Sequence, residues 1–421
     1  MASESDTFLD EDKLLACVHC GLCLGACPTY LETGNENASP RGRIYLMRAI
    51  QDGRLDATEA LEQVDYCLGC RACENACPSG VEYGTLLETT RDHIESTVTR
   101  SPFQTVLRRF VIEKIFPFPE RMELALAPAR IARRIGLDRW LPEFFRESLS
   151  LVPRVADKAD LPPFSSAIGE RRGTVGFVSG CVMGVMFGET HRNSVRLLNE
   201  AGYDVVVPND QKCCGALFAH GGNLEAARAS ARGNIDAFGV HQLDAIIINA
   251  AGCGSTLKEY GHLLDGDGER EERGCEFSGR VRDLSEFLAE VGFAEELRRR
   301  RVSDPDDGLV TFHDACHLAH PQQITVQPRE LVRAVAGENL VEMPESDVCC
   351  GSAGSYNLTE PEMAGRLQER KIANILTTKA LKVVTTNPGC LLQIAAGLEK
   401  RTGIRTTAIH IADYLAAALE A

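Results

Sequence analysis

Two runs of cysteine, CVHCGLCLGACP from Cys17 to Pro28 and CLGCRACENACP from Cys67 to Pro78, share the spacing CxxCxxCxxxCP. A [4Fe-4S] cube needs one thiolate at each of its four irons. Three closely spaced cysteines on a tight loop reach three corners, while the fourth, followed by proline, points away and serves the other cluster. The spacing therefore predicts two [4Fe-4S] clusters with crossed ligands. Cys17, Cys20, Cys23 and Cys77 hold one, and Cys67, Cys70, Cys73 and Cys27 hold the other. Pro28 and Pro78 turn the chain out of each loop and remove a backbone donor. Structural zinc usually closes a single site with two ligand pairs separated by a longer loop, so eight cysteines in two like runs fit it badly. Disulfides fit worse, since nothing marks the chain as secreted.

Eight further cysteines form two sets of four. TVGFVSGC ends at Cys181, Cys213 and Cys214 open a CCG triplet with Gly215, and DAIIINA leads to Cys253; later LVTFHDAC ends at Cys316, VCCG holds Cys349, Cys350 and Gly351, and ALKVVTTNPGC ends at Cys390. The second set follows the first at offsets of 135, 136, 136 and 137 residues. So steady an offset marks an internal duplication. Adjacent cysteines do not readily bond to each other, so each pair reads as two thiolate ligands. Four thiolates suffice for an iron-sulfur cluster or a closed zinc site; buried cysteine used only as a small hydrophobe is the plain alternative. His313, His317 and His320 flank Cys316 and suit ligation or proton relay, although a histidine beside a ligand is more often structural, which is the expectation here. Cys275 stands outside both patterns, in what reads as a charged, glycine-containing loop.

The elements that position these residues follow from periodicity and caps. A short acidic lead-in ends on a helical turn before Cys17. SPRGRIYLMRAIQDG reads as a helix with Ser39 as cap, Pro40 in its first turn and Gly53 at its close. On it, Arg41 and Arg43 either lie near the clusters, favouring their reduced, more negative state, or belong to a solvated face. A helix from Tyr83 to about Val98 leads out of this region. Between residues 100 and 170, prolines 102, 117, 119, 128, 142, 153, 162 and 163 break the chain into short helices and a linker. This stretch is locally basic through Arg108, Arg109, Lys114, Arg121, Arg130, Arg133, Arg134 and Arg139, with Phe110, Phe116, Phe118 and Trp140 interleaved. That pattern suits a solvated helical hairpin, or docking on an acidic partner or anionic membrane surface. From Thr174 onward, strands alternate with helices long enough for parallel βαβ units. The expected division is a cluster domain over 1–98, a connector over 99–170, and duplicated halves over 171–300 and 301–421. The fold class is a mainly helical two-cluster domain followed by two α/β domains whose cysteines sit at the carboxyl ends of strands. Packing of the halves about a pseudo-twofold axis would bring both sets near one interface.

Composition bounds the function. The chain has 421 residues, 44% hydrophobic and 25% charged, and a net charge of -15, values of an ordinary globular protein. The negative balance argues against nucleic acid, whose phosphates need a basic face. The acidic N-terminus lacks a signal-peptide pattern, and no apolar run nears the roughly 20 residues of a membrane span. The expectation is a cytoplasmic protein with at most peripheral membrane contact. GSAGSY after Cys350 does not follow a strand with dinucleotide-binding spacing, and no flavin site, nicotinamide site or catalytic constellation stands out. The chain reads as a carrier of electrons.

With these residues in view, the chain resembles the iron-sulfur subunit of glycolate oxidase, also called glycolate dehydrogenase. The likeness runs through CVHCGLCLGACPTY, SPRGRIYLM, CRACENACPSGVEYG, AGCGSTLKEYG and CCGSAGSYNLT, over most of residues 14 to 415. It implies a two-cluster ferredoxin-like domain followed by two CCG domains. It also implies FAD-containing partner subunits that oxidise glycolate to glyoxylate, and electrons passed one at a time from flavin toward a quinone or other acceptor. Proteins of the same layout serve D-lactate, glycerol 3-phosphate and heterodisulfide metabolism. In the heterodisulfide reductase branch the last cysteine of each CCG motif begins a CxxC; here the matching positions are Thr256 and Gln393, which counts against disulfide reduction. A thiol/disulfide reductase centred on the CCG thiolates is the rival reading, and a zinc-stabilised docking scaffold the third.

Overall fold

The computed structural model describes residues 7–136, 140, 149, 152, 157–300, 308–401, 403 and 405–420. Arg139, Pro142 and Pro153 of the connector lie outside them.

The cluster region is helical, and its helices start where side chains can satisfy free backbone N–H groups. Asp10 accepts from Asp12 N and Lys13 N and starts helix Glu11–Leu15, which delivers Cys17. Ser39 accepts from Gly42 N and opens helix Pro40–Gln51 with proline at its first position. Asp56 and Glu59 form a capping box on helix Ala57–Asp65. Helix Tyr83–Thr97 closes the unit. Ile44, Met47, Val64, Leu86, Leu87 and Ile94 form its core.

The connector departs from the expected string of short helices. After Pro102–Thr105 and a wide π-type stretch Val106–Ile112, a single helix Pro119–Arg134 runs straight through Pro128. Proline removes one helical hydrogen bond, but Met122 on this helix is buried against Val185 and Met186, so tertiary packing overrides the local signal. Arg100 and Arg108 tie the connector to the cluster region through buried Asp65, at 2.6 and 3.1 Å. Of the interleaved aromatics, Phe110, Phe118 and Trp140 are exposed, whereas Phe116 packs beside Met122.

Two sheets follow. The first contains β1 (Phe164–Ser165), β2 (Gly173–Phe177), β3 (Tyr203–Val206), β4 (Ala245–Ile248) and β5 (Val281–Asp283) in the order β1-β3-β2-β4-β5. The second contains β6 (Val310–Phe312), β7 (Leu340–Val341), β8 (Lys382–Thr385) and β9 (Thr407–His410) in the order β7-β6-β8-β9. Apart from the antiparallel edge strand β1, every pairing is parallel. The order β3-β2-β4-β5 repeats as β7-β6-β8-β9, so the duplication seen in the cysteines is one of topology as well. In each copy the chain leaves the first strand to one side and returns to the other. That creates a switch point at the carboxyl ends of β2 and β4, and of β6 and β8, where open α/β sheets place their ligands.

The halves share one core. Phe177, Leu197 and Leu198 of the first belong to the same buried cluster as Phe312, Leu331 and Leu415 of the second. Helix Gly188–Glu200 packs on helix Ile411–Glu420, where Thr190 Oγ1 and Asn193 Nδ2 donate to Asp413 at 2.7 and 2.9 Å. Cys275 sits on helix Glu269–Arg280 and not in a loop. Gly274 misleads the sequence reading, because it is there for close packing: a Cβ on it would meet Tyr260 O at 3.0 Å. Among the described residues no helix is long and apolar enough to cross a membrane.

Because the two sheets bury side chains in one cluster, they should unfold together. Phe177→Ala and Phe312→Ala are each expected to destabilise by about 3–5 kcal/mol, and each should move one common transition in anaerobic calorimetry. Two separated transitions would show that the halves are thermodynamically independent.

Candidate metal centres

The second cysteine run and the last cysteine of the first share a cavity. Cys27, Cys67, Cys70 and Cys73 line a space with an empty volume of about 280 Å³, closed on other sides by Pro28, Arg43 and Tyr83. All four cysteines are buried. Gly69 N donates to Cys67 Sγ at 3.4 Å and Tyr83 OH at 3.5 Å. In the other set Cys20 is exposed and Cys17, Cys23 and Cys77 are half-buried, the last three packing on the same helical core. Arg41 props this loop by donating to His19 O at 3.0 Å while held by Glu36 at 2.6 Å. Gly21, at φ +86°, leaves room for that guanidinium, which a Cβ would meet at 2.5 Å.

Arg43 tests whether the cavity suits an anionic sulfur cofactor. It is fully buried, donates to Gln63 O at 2.7 Å and Thr29 Oγ1 at 3.0 Å, and approaches Cys27 Sγ at 3.9 Å. Among the described residues no carboxylate pairs with it. A buried cation without a counter-charge costs several kcal/mol, and among the described residues the acidic groups that act on it are Cys67, Tyr83 and Cys27. Against burial, Cys67, Tyr83 and Cys27 keep the guanidinium firmly protonated. In return, although burial raises the Cys67 thiol, Arg43 and Arg91 bring it below its ordinary value; Cys70 and Cys73 are pushed well up by burial. The residues present thus fit a [4Fe-4S] cluster, whose thiolates and sulfides carry net negative charge. Arg91, which donates to Cys67 O at 2.6 Å and Val64 O at 3.2 Å, and Tyr83 belong to this shell but carry no signal in the cysteine spacing.

In each CCG half the four thiols form a chain. Cys181 bonds to Cys213 at 3.6 Å, Cys213 to Cys214 and Cys214 to Cys253; Cys316, Cys349, Cys350 and Cys390 repeat it. Cys213 is held well below the usual thiol range by its bonds from Cys181, Cys214 and Gly215 N, and Cys349 likewise by Cys316, Cys350 and Gly351 N. Their neighbours Cys181, Cys214, Cys316 and Cys350 are pushed well up by the sulfurs beside them and by burial. The glycine of CCG has a physical reason. Gly215 and Gly351 sit at φ +89° and +88°, which turns the N–H back onto sulfur, and a Cβ on Gly351 would meet Ala364 O at 2.6 Å. Thr256 and Gln393, in place of a further cysteine, are both buried.

The halves meet near their last cysteines: Gly252 N donates to Asn387 Oδ1 at 3.1 Å, and Asn387 Nδ2 approaches Cys390 Sγ at 3.6 Å. The second half also abuts the cluster loop. His317 Nε2 donates to Gly69 O at 2.9 Å, His320 contacts Asn75 Nδ2 at 3.3 Å, and Cys70 shares a buried cluster with Cys349 and Tyr356, with Cys316 packed against it. His317 and His320 are thus structural bridges. His313 is different, lying with Cys350 and Cys390 in a buried group whose ligand atoms are all within 4.8 Å of one another. Bonded by Cys350, and with His313 close by, Cys390 is brought down to about 5.

Residues 13–81 match the model of a 4Fe-4S dicluster domain. Residues 175–258 and 310–395 each match that of a cysteine-rich CCG domain. Over 97% of its length the chain is 41% identical to the probable glycolate oxidase iron-sulfur subunit of Bacillus subtilis (strain 168), covering 94% of that protein. Over 98% of its length it is 34% identical to the glycolate oxidase iron-sulfur subunit of Escherichia coli (strain K12), covering 96% of it. The crystal structure of a hypothetical protein from Helicobacter pylori superposes with a TM-score of 0.58 at 8% identity, covering 98% of this chain and 73% of that one; that likeness is one of fold.

Removing the buried cation beside Cys27 and Cys67 disfavours added negative charge there. Arg43→Gln is expected to lower the midpoint potential of the buried centre by at least about 59 mV, a tenfold change for a one-electron couple. Potentiometric titration followed by electron paramagnetic resonance measures it, and an unmoved potential would reduce Arg43 to packing.

Proposed function

The chain belongs to the family of glycolate oxidase iron-sulfur subunits, and from that premise we propose that it is the electron-transfer subunit of a flavin-dependent glycolate dehydrogenase. It docks on FAD-containing subunits that oxidise glycolate to glyoxylate, and the electrons leave toward a quinone or another acceptor. Bound in its loops, [4Fe-4S] clusters supply one-electron redox chemistry. Cys17, Cys20, Cys23 and Cys77 hold one; Cys67, Cys70, Cys73 and Cys27 hold the other. The observation that carries this reading is Cys27, which leaves its own run and lines the cavity of Cys67, Cys70 and Cys73. The crossing joins the two loops, so neither can shift without the other.

The chain's own residues divide the remaining tasks. Arg43 and Arg91 stabilise negative charge in the buried cavity. Pro28, Leu68 and Tyr83 wall it off from water. The first loop is the open end, where Leu15, Val18 and Leu22 are 51%, 68% and 62% exposed around Cys17 and Cys20. Bare apolar residues grouped at a cofactor edge suit a partner surface, and this is the face assigned to the flavoprotein. The eight CCG thiolates form two further ligand sets, one in each half.

Cys20→Ser and Cys70→Ser are each expected to abolish hydroxy-acid-dependent quinone reduction while the partner's flavin is still reduced. Stopped-flow absorbance of flavin and quinone on the assembled complex reads both steps. Undiminished quinone reduction in either variant would end the relay reading.

A further inference from the structure

The two CCG halves are copies, yet the groups facing their thiols differ. Val178 and His313 follow equivalent strands, three residues before Cys181 and Cys316. Each donates its backbone N–H across the sheet at 2.9 Å, Val178 to Ile247 O and His313 to Val384 O. Both side chains are wholly buried. The first half thus presents an isopropyl group where the second presents an imidazole.

The imidazole is oriented. His313 Nδ1 lies 3.0 Å from Ser346 O, and a carbonyl only accepts, so Nδ1 donates and, in the neutral ring, Nε2 presents a lone pair. Among the described residues Nε2 has no hydrogen-bond partner, although it is shut off from solvent. The ligand atoms of His313, Cys350 and Cys390 all lie within 4.8 Å of one another, and with Nδ1 committed to Ser346 O the nitrogen left to face the sulfurs is Nε2. A ring nitrogen fixed by a backbone carbonyl on its far side, with its free nitrogen among thiols, is how metal-ligating histidines are held.

A second difference points the same way. The helix residues packed on the CCG glycines are Ala227 and Ala364, and seven residues after each come Asn234 and Lys371. Asn234 serves the backbone and a phenol, donating to Cys213 O and Tyr260 OH. Lys371 Nζ is buried and donates to Glu345 O and Ser346 O; burial brings its ammonium below its ordinary value, against the opposing pull of the Cys350, Cys349 and Cys390 sulfurs nearby. The second half therefore sets an imidazole and an amine beside its four thiols where the first half sets an isopropyl group and an amide.

We infer that His313 Nε2, Cys350 Sγ and Cys390 Sγ form a mixed imidazole–thiolate site for one divalent transition metal of borderline softness, Zn²⁺ or Fe²⁺, in the second half only. Nitrogen with sulfur donors selects these ions over hard cations. This site goes beyond the electron-transfer reading and does not depend on it.

The test is metal content of the full chain, purified anaerobically. Wild-type protein should hold about eight irons for two cubanes plus one further zinc or iron. His313→Val, which writes the first half's residue into the second, should lose that one metal and keep the eight irons; His313→Cys, which restores a ligand, should regain it. Zinc is identified by replacing it with Co²⁺ and reading the thiolate-to-cobalt absorption. Iron is identified by ¹⁴N coupling in pulsed paramagnetic resonance. Either signature should disappear in His313→Val. Wild-type protein with its eight irons and no other metal would overturn the site and leave the electron-transfer reading intact, as would a His313→Val variant that keeps the extra metal. The wild-type measurement decides even if the valine variant does not fold.

Discussion

Anionic sulfur must be buried in this protein, and the rest of the structure is arranged around making that tolerable. A charge moved from water to protein interior loses solvation worth several kcal/mol, and neighbouring thiolates add repulsion. Two devices answer it. In the cluster cavity the answer is a cation: Arg43, wholly buried and, among the described residues, paired with no carboxylate, with Arg91 donating to Cys67 O of the cluster loop. In the CCG halves it is hydrogen bonding: thiols and a glycine N–H converge on Cys213 and on Cys349. Each device requires a particular backbone. Arg43 needs the Ser39-capped helix, and the CCG turn needs a residue that adopts positive φ beside a closely packed helix.

The duplication explains why one architecture appears twice, and the shared core explains why the copies remain paired. Each sheet alone would leave an apolar face open, and Phe177 with Phe312 fills the space between them. Once packed, the copies are free to diverge where they face their thiols. They also differ in what they touch. The cluster loop leans its Cys70 on the second half, in the same buried group as Cys349, whereas the first half meets the cluster region mainly through polar pairs such as His220 with Glu88 at 2.8 Å and Arg71 with Glu259.

Much of this was legible in the sequence because it depends on spacing and caps. The two cysteine runs, the Ser39–Pro40 helix start, the helix from Tyr83 and the alternation of strands and helices are local patterns, and the near-constant offset exposed the duplication. What escaped depends on contacts between distant segments. Pro128 signals a break, but the helix persists because Met122 packs against residues more than sixty positions away. Gly274 resembles a loop glycine until its contact with Tyr260 is known. The three histidines around Cys316 look alike in one dimension; only the fold separates His317 and His320, which bridge to the cluster loop, from His313, whose free nitrogen faces sulfur.

Exposure gives the chain a direction. At the first loop Cys20 is open to solvent beneath bare Val18 and Leu22. One step inward, Cys27 crosses into a cavity where all four sulfurs are buried. One step further, the backbone between Cys67 and Cys70 is joined to His317, and His317 is bonded in sequence to Cys316 of the second CCG set. A redox centre exchanges electrons most readily where its edge is bare, and solvent exposure also tunes its potential. The order open loop, buried cavity, enclosed CCG set therefore runs from the side a partner can reach to the side it cannot. If electrons enter at the open loop, the second CCG half lies at the inner end of the route, and there the duplicated domain departs most from its twin.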